Sequence, residues 1–289
     1  MKIFYREEQS AVGTNYFSPS PRKPALVLES WKKMGYQLQI ADFEPVTRDQ
    51  LKQVHDTEYV DGVLDGMLNN GFGDQDPKII QVLPYVSGSM VAAALHAYST
   101  GETSISPTSG ANHAGYEFGG GFCTFNFLAL AAWEAHQAGA KRVGIADCDM
   151  HWGNGTADII RTLGWDWVDH YSFSSDASVA KADIDQWKNS FSWRIEEMAA
   201  GVNIIIYNAG ADPHINDPLG GVLSTEDMKT RDQIIFAAAA DHNIPVVVSL
   251  AGGYQDPIAP VLEIHDNMYK MARKYDPASK GQYDEFFES

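Results

Sequence analysis

The chain has 289 residues, 44% of them hydrophobic and 20% charged, which is the balance of an ordinary globular protein. Its formal net charge of −17 argues against nucleic acid as a partner, because phosphate requires basic patches. Two cysteines, Cys123 and Cys148, exclude a disulfide framework, no apolar run approaches the roughly 18 residues of a membrane span, and MKIFYREEQS lacks a signal-peptide core, so a cytoplasmic protein without membrane partners is expected.

Lys2 to Tyr5 reads as a first strand. Pro24 to Met34 reads as a helix with Leu28 and Trp31 on its apolar stripe, ended by Gly35. Tyr36 to Ile40 has strand character. Thr47 opens a helix carrying Leu51 and Val54. Asp56 caps another, with Tyr59, Val60, Val63, Leu64 and Met67 at helical spacing. Asn69 to Pro77 is a glycine- and acid-rich loop. Lys78 to Ser99 is a long apolar helix, expected to be disturbed near Pro84. Residues 103–106 form a strand, 107–121 a glycine-rich loop, and Phe125 to Ala138 a helix.

The second half repeats the order. Val143 to Ala146 is a buried strand, and Gly153-Asn154-Gly155 turns into a helix from Thr156 to Leu163. Trp167 to Ser172 is a strand and Ala182 to Ala200 a helix. Asn203 to Tyr207 is a strand running into a loop at Gly210, and Ser224 to Asn243 a capped helix. Pro245 to Leu250 is a strand, and Pro260 to Tyr275 is the last helix before a polar tail. Apolar strands joined by crossovers of a dozen residues or more predict a mainly parallel sheet with helices on both faces, in one domain over residues 1–289.

Four strand ends carry unusual polar residues: Ser109-Gly-Ala-Asn112-His113, Asp147-Cys-Asp149-Met-His151, Ala209-Gly-Ala-Asp212-Pro-His214 and Gly252-Gly253-Tyr254. In a parallel sheet all four lie on one edge, where open α/β sheets bind their ligands. Side chains two apart on an extended backbone share a face, so Asp149 and His151 point into one volume with Asp147 behind them. With Asp212 they make two carboxylates and an imidazole, the ligand set of a hydrolytic metal site with an open position. It suits Zn²⁺ and also Fe²⁺, Mn²⁺ or Co²⁺. Such a site needs a base for water, an acid for the leaving group and a donor for the oxyanion. His113 can serve as base and then acid, Asn154 can orient its second nitrogen, and Tyr254 can donate its hydroxyl.

These segments together resemble the histone deacetylase superfamily, which includes bacterial acetylpolyamine amidohydrolases. The matching stretches are Val54-His55-Asp56 with Tyr59-Val60, Gly121-Phe122-Cys123 with Phe125-Asn126, Asp149-x-His151-x-Gly-Asn-Gly-Thr156, Asp217-Pro-Leu-Gly220 and Gly252-Gly-Tyr254, in order. The resemblance implies an arginase-like three-layer α/β/α fold. It implies zinc on Asp149, His151 and Asp212, His113 as general base and acid, and Tyr254 polarising the acyl carbonyl. Phe122, with Gly121 before it, would line an acyl-lysine tunnel. Asp76 resembles an acidic loop residue that grips the substrate. A structural potassium ion would be held by Asp147, Asp149, His151, Ser172 and Phe173. The implied substrate is an acyl-lysine or a small acylated amine; association into a homo-oligomer is left open.

Three departures from the family pattern stand out. Asn112 replaces the first of two adjacent histidines, so it cannot carry a proton but can still hydrogen-bond, to Asp147 among others. Trp152 replaces a second histidine after His151. The Ser172 to Ala200 stretch is too short for the loop that supplies a second tunnel aromatic. Two rivals follow: a catalytically silent binding protein, motivated by Asn112, and a ureohydrolase. The latter would need carboxylates where Gly153 and His214 stand. His55, His136 and His265 fall in helices and are expected to be packing or surface residues; His214, two residues past Asp212, is close enough to reach the pocket rim but is not counted among the site residues.

Overall fold

The computed structural model describes residues 1–11 and 13–276. The apolar runs become strands β1 (Lys2–Phe4), β2 (Ile40–Ala41), β3 (Ser104–Ile105), β4 (Val143–Asp147), β5 (Val168–Ser172), β6 (Ile205–Gly210) and β7 (Val246–Ala251). Every pair is parallel, in the order β2-β1-β3-β7-β6-β4-β5. Parallel neighbours need crossover connections, and helices supply them. These are α1 (Lys23–Lys33), α2 (Arg48–Leu51), α3 (Thr57–Leu64), α4 (Pro77–Thr100), α5 (Phe127–Gln137) and α6 (Asn154–Leu163) in the first part. In the second part they are α7 (Ala177–Ala182), α8 (Ile184–Gly201), α9 (Thr225–Asp241) and α10 (Ala259–Tyr275).

The alternation of strand side chains makes the layers. Tyr207 and Ala209 of β6 join a core with Trp187 of α8, Phe236 of α9 and Met268 of α10. Ile204 and Ile206 enter a second core with Met90 of α4 and Leu128 of α5. Residues one apart on a strand face opposite sides, so the sheet is covered on both faces by helices that bury apolar stripes. This is the expected three-layer α/β/α arrangement. Its four central strands, β3, β7, β6 and β4, are the ones whose tips carry the polar motifs.

Several expected boundaries moved. Tyr36 to Gln39 is not a strand; β2 is only Ile40–Ala41, fixed by its register with Ile3 and Phe4 rather than by local propensity. The helix after Asp56 stops at Leu64, leaving Met67 outside it and exposed. The helix expected over 182–200 is α8, which starts at Ile184 because the Asp183 carboxylate caps it by accepting the Asp185 and Gln186 N–H groups; the short α7 before it was not expected. α4 is unbroken through Pro84, whose carbonyl accepts Val46 N–H. Against the expectation from sequence, α4 is long and apolar enough to cross a membrane. Its apolar side chains are spent on α5 and the sheet instead. His55 lies past the end of α2, not within a helix. The polar tail expected after Tyr275 lies, beyond Asp276, outside the described residues.

Candidate active site

β4 ends at Asp147, and the chain bends beyond it over Asp149 to His151, which brings these two side chains together. The Asp149 carboxylate accepts the His151 N–H at 2.9 Å, which folds the two residues back on each other. His151 Nδ1 stands 3.2 Å from Asp149 Oδ1 and 2.9 Å from Asp212 Oδ2, so the three expected ligands meet at one point. The other ring nitrogen, Nε2, donates to Leu219 O at 3.1 Å. That bond turns the ring so that Nδ1 faces both carboxylates and is the nitrogen a metal would take once its proton is lost. Asp212 Oδ2 has no well-aligned hydrogen bond although fully buried. Gly252 presses on the same carboxylate so closely that a Cβ there would overlap it.

Burial first, and then the Asp149 charge, raises Asp212 to about 7. The same two causes hold Asp147 well above the usual carboxylate range. For Asp149 burial works against the charge, but hydrogen bonds from the His151 side chain and backbone bring it below its ordinary value. His151 is raised to about 10, by its bond to Asp149 first and then by Asp212. Buried like charges are costly unless paired or shared with a cation. A divalent ion entering here would displace the His151 proton and neutralise the carboxylates, so the donor set fits such an ion.

The base is built beside it. The His113 and His151 rings lie 6.0 Å apart, and ligating atoms of His113, Asp149 and His151 fall within 4.8 Å of one another. His113 Nδ1 donates to Asn154 Oδ1 at 2.6 Å, leaving Nε2 as the proton acceptor. Asn154 opens α6, whose Gly155 and Thr156 N–H groups hold the Asn112 carbonyl, so the helix start and the 109–113 loop lock together. Gly121 lies under the His113 ring with no room for a Cβ. Its φ of 56° and that of Phe122, 67°, are left-handed, which strains Phe122 and aims it at the mouth. The Tyr254 N–H donates to Asp217 Oδ2 at 2.8 Å. Burial first, then Asp149 and Asp212, hold the Tyr254 phenol far above its ordinary pKa, so it keeps its proton to donate.

Other expected residues fall differently. Asn112 is buried, but it makes no bond to Asp147: its Nδ2 and Asp147 Oδ2 are both unpartnered. Asp147 Oδ1 accepts instead from Asn208 Nδ2, which is tied on to Ser249. Ser172 pairs with Asp147 across β4 and β5, and its Oγ accepts Gly153 N–H. Phe173 turns its ring away, onto Trp187. Asp76 caps α4, accepting Lys78 N–H, and also accepts from Tyr16 Oη at 3.2 Å. His214 does not reach the rim: Nε2 meets Thr225 Oγ1 and Nδ1 accepts Asn216 N–H. His55 braces the site loop, bonding Gly115 O and accepting Asn126 N–H.

Two buried cations have no counterpart in the sequence reading. Lys23 is fully buried and donates to Ser109 Oγ and to the Ala251 and Gly252 carbonyls. Burial lowers it to about 8, against the pull of Asp212, Asp149 and Asp217. Arg231 of α9 donates to the Gly210 and Cys148 carbonyls and pairs with Asp232, fastening the tips of β4 and β6. Neither stands out in the sequence: Lys23 follows Pro21-Arg22 at the start of α1, and Arg231 lies between Thr230 and Asp232 among other polar residues of α9.

The sequence matches the family model described as histone deacetylase domain over residues 18–191 and 169–262. An uncharacterized protein of Picosynechococcus sp. is 26% identical over 260 residues, covering 82% of this chain and 84% of its own. The acetylpolyamine amidohydrolase of Mycoplana ramosa is 26% identical over 263 residues, covering 79% and 74%. A solved structure of an acetylpolyamine aminohydrolase from Burkholderia pseudomallei superposes with a TM-score of 0.70 at 18% identity. It covers 94% of this chain and 98% of that one, a likeness of fold.

Proposed function

The chain belongs to the histone deacetylase family, and from the site it builds we propose a metal-dependent amidohydrolase that removes an acyl group, acetyl above all, from an amine such as acetyl-lysine or an acetylpolyamine. The observation that carries this is the meeting of Asp149, His151 and Asp212 at one point beside a histidine whose tautomer is already set for a base. Zinc, or Fe²⁺, Mn²⁺ or Co²⁺, on those three residues would supply Lewis acidity toward water and an acyl carbonyl. His113 Nε2 takes the proton of the attacking water and returns it to the departing amine nitrogen. Asn154 keeps the His113 ring in register through both transfers. The Tyr254 hydroxyl donates to the acyl oxygen as it becomes negative, and Asp217 holds that turn in place. A cationic amine is favoured by Asp74 and Asp76, which flank the mouth with Tyr16 between them and the aromatic wall. Potassium behind the ligands, on Asp147, Ser172 and neighbouring carbonyls, belongs to the same reading and balances buried negative charge.

The ureohydrolase alternative is weaker, because Gly153 offers no donor and both His214 nitrogens are engaged. The deciding experiment is turnover of a fluorogenic acetyl-lysine and of an acetylpolyamine by the zinc-loaded chain, with His113→Ala as control. Rates equal in the two proteins would mean that the site is silent.

A further inference from the structure

Beyond β5, the only aromatic in residues 172–183 is Phe173, whose ring is fully buried against Trp187 and lines no channel. A different segment brings a ring to the site. Phe17, on the irregular stretch before α1, stacks on Tyr254 with centroids 5.7 Å apart and planes 11° from parallel. It also faces Phe122 at 6.3 Å, and Phe122 faces Tyr254 at 5.8 Å, so three rings close a triangle over the site. Phe17 is 59% exposed, unusual for a phenylalanine with no structural load.

The spacing has a consequence. An aliphatic chain lying between two rings needs about 7–8 Å, two carbon contacts of roughly 3.5–4.0 Å each. At 6.3 Å from Phe122, the Phe17 ring leaves too little, so it has to yield by about 1–2 Å when a chain enters. It has somewhere to go: Phe17 lines a groove of about 430 Å³ between its own loop and residues 254–258. We infer that Phe17 is a specificity-determining residue, the movable second wall of the channel. It closes on a straight, unbranched amine arm and rejects branched or aryl-substituted ones. This rests on the proposed deacylase reading for the nature of the arm, but not for the existence of the wall.

The test is calorimetric binding to the full zinc-loaded chain of three hydroxamates: acetohydroxamate, a straight-chain alkyl hydroxamate and one branched by an aryl group next to the head. Phe17→Ala should weaken the straight-chain ligand by about tenfold, leave acetohydroxamate within about twofold, and tighten the branched one. Phe17→Tyr should bind all three like the parent. On an acetylated straight-chain diamine, KM should rise about tenfold in Phe17→Ala, with kcat changed less than about threefold. Unchanged straight-chain binding overturns the inference. So does an equal loss with acetohydroxamate, or a parent that binds no straight-chain hydroxamate. A parent that turns over no acyl amine yet shows the predicted hydroxamate pattern refutes the deacylase reading and leaves Phe17 as the wall.

Discussion

At the scale of single residues, the proposed reaction puts all proton transfer on His113, because Asn112 cannot hold a proton near neutral pH. His113→Ala should therefore lower kcat by on the order of 10²-fold or more, while Asn112→Ala should cost about tenfold or less. Comparable losses in steady-state assays of the two variants would move the base to Asn112's side of the site. Tyr254→Phe should keep metal and fold but lose on the order of 100-fold in kcat, the usual cost of an oxyanion donor; an unchanged kcat would make Tyr254 structural. Asp149, His151, His113 and Tyr254 were legible because they follow the ends of apolar strands, at the edge where ligands bind. Lys23 was not, since its partners Ala251 and Gly252 lie at the far end of the chain. Its folded pKa, about 8, lies below its usual value near 10.5. The unfolded chain thus binds more protons between those pH values, and this contribution to stability rises with pH through that window, by roughly 3 kcal/mol at most. Relative to Lys23→Met, the parent should gain stability in denaturant titrations from pH 8 to 10; a flat difference would mean that Lys23 is not desolvated as described.

At the scale of elements, the site is a property of strand tips. Strands β4, β6 and β7 were readable as apolar runs, and their adjacency follows from parallel packing with crossover helices. What could not be read depends on pairing or on one side chain. β2 is two residues long and exists through its register with β1. The start of α8 is set at Asp183, whose extended backbone ends α7 and whose carboxylate caps the next helix. The turn after β7 is the tightest element of the site. Gly252 has φ 37°, and a Cβ there would collide with the Asp212 carboxylate. Gly252→Ala should therefore push Asp212 off its position, with a destabilisation of about 2–4 kcal/mol and metal content well below one equivalent. Full metal occupancy in that variant, measured by elemental analysis, would show that the turn does not set the ligand.

At the scale of the whole molecule, a chain with net charge −17 buries Asp147, Asp149 and Asp212 together at the tips of β4 and β6. The internal counter-charges near them are Lys23 and a protonated His151. A divalent cation on the three ligands would bind the folded chain and not the unfolded one, so it would add stability by mass action, about 2.7 kcal/mol at a free metal concentration 100 times Kd. For a chain of this size that corresponds to a rise in Tm of roughly 5–10 °C. Adding a chelator should remove the increment. Asp212→Ala separates this from general damage. It deletes a carboxylate raised to about 7 by burial and by Asp149, so the repulsion relieved offsets much of the ion pair lost with His151. The metal-free variant should therefore melt within about 3 °C of the metal-free parent, yet gain nothing when zinc is added. Elemental analysis should find close to one divalent ion per parent chain and almost none in the variant. A variant that keeps the full zinc increment would remove Asp212 from the ligand set, and two ions per parent chain would favour a ureohydrolase-like cluster over a deacylase site.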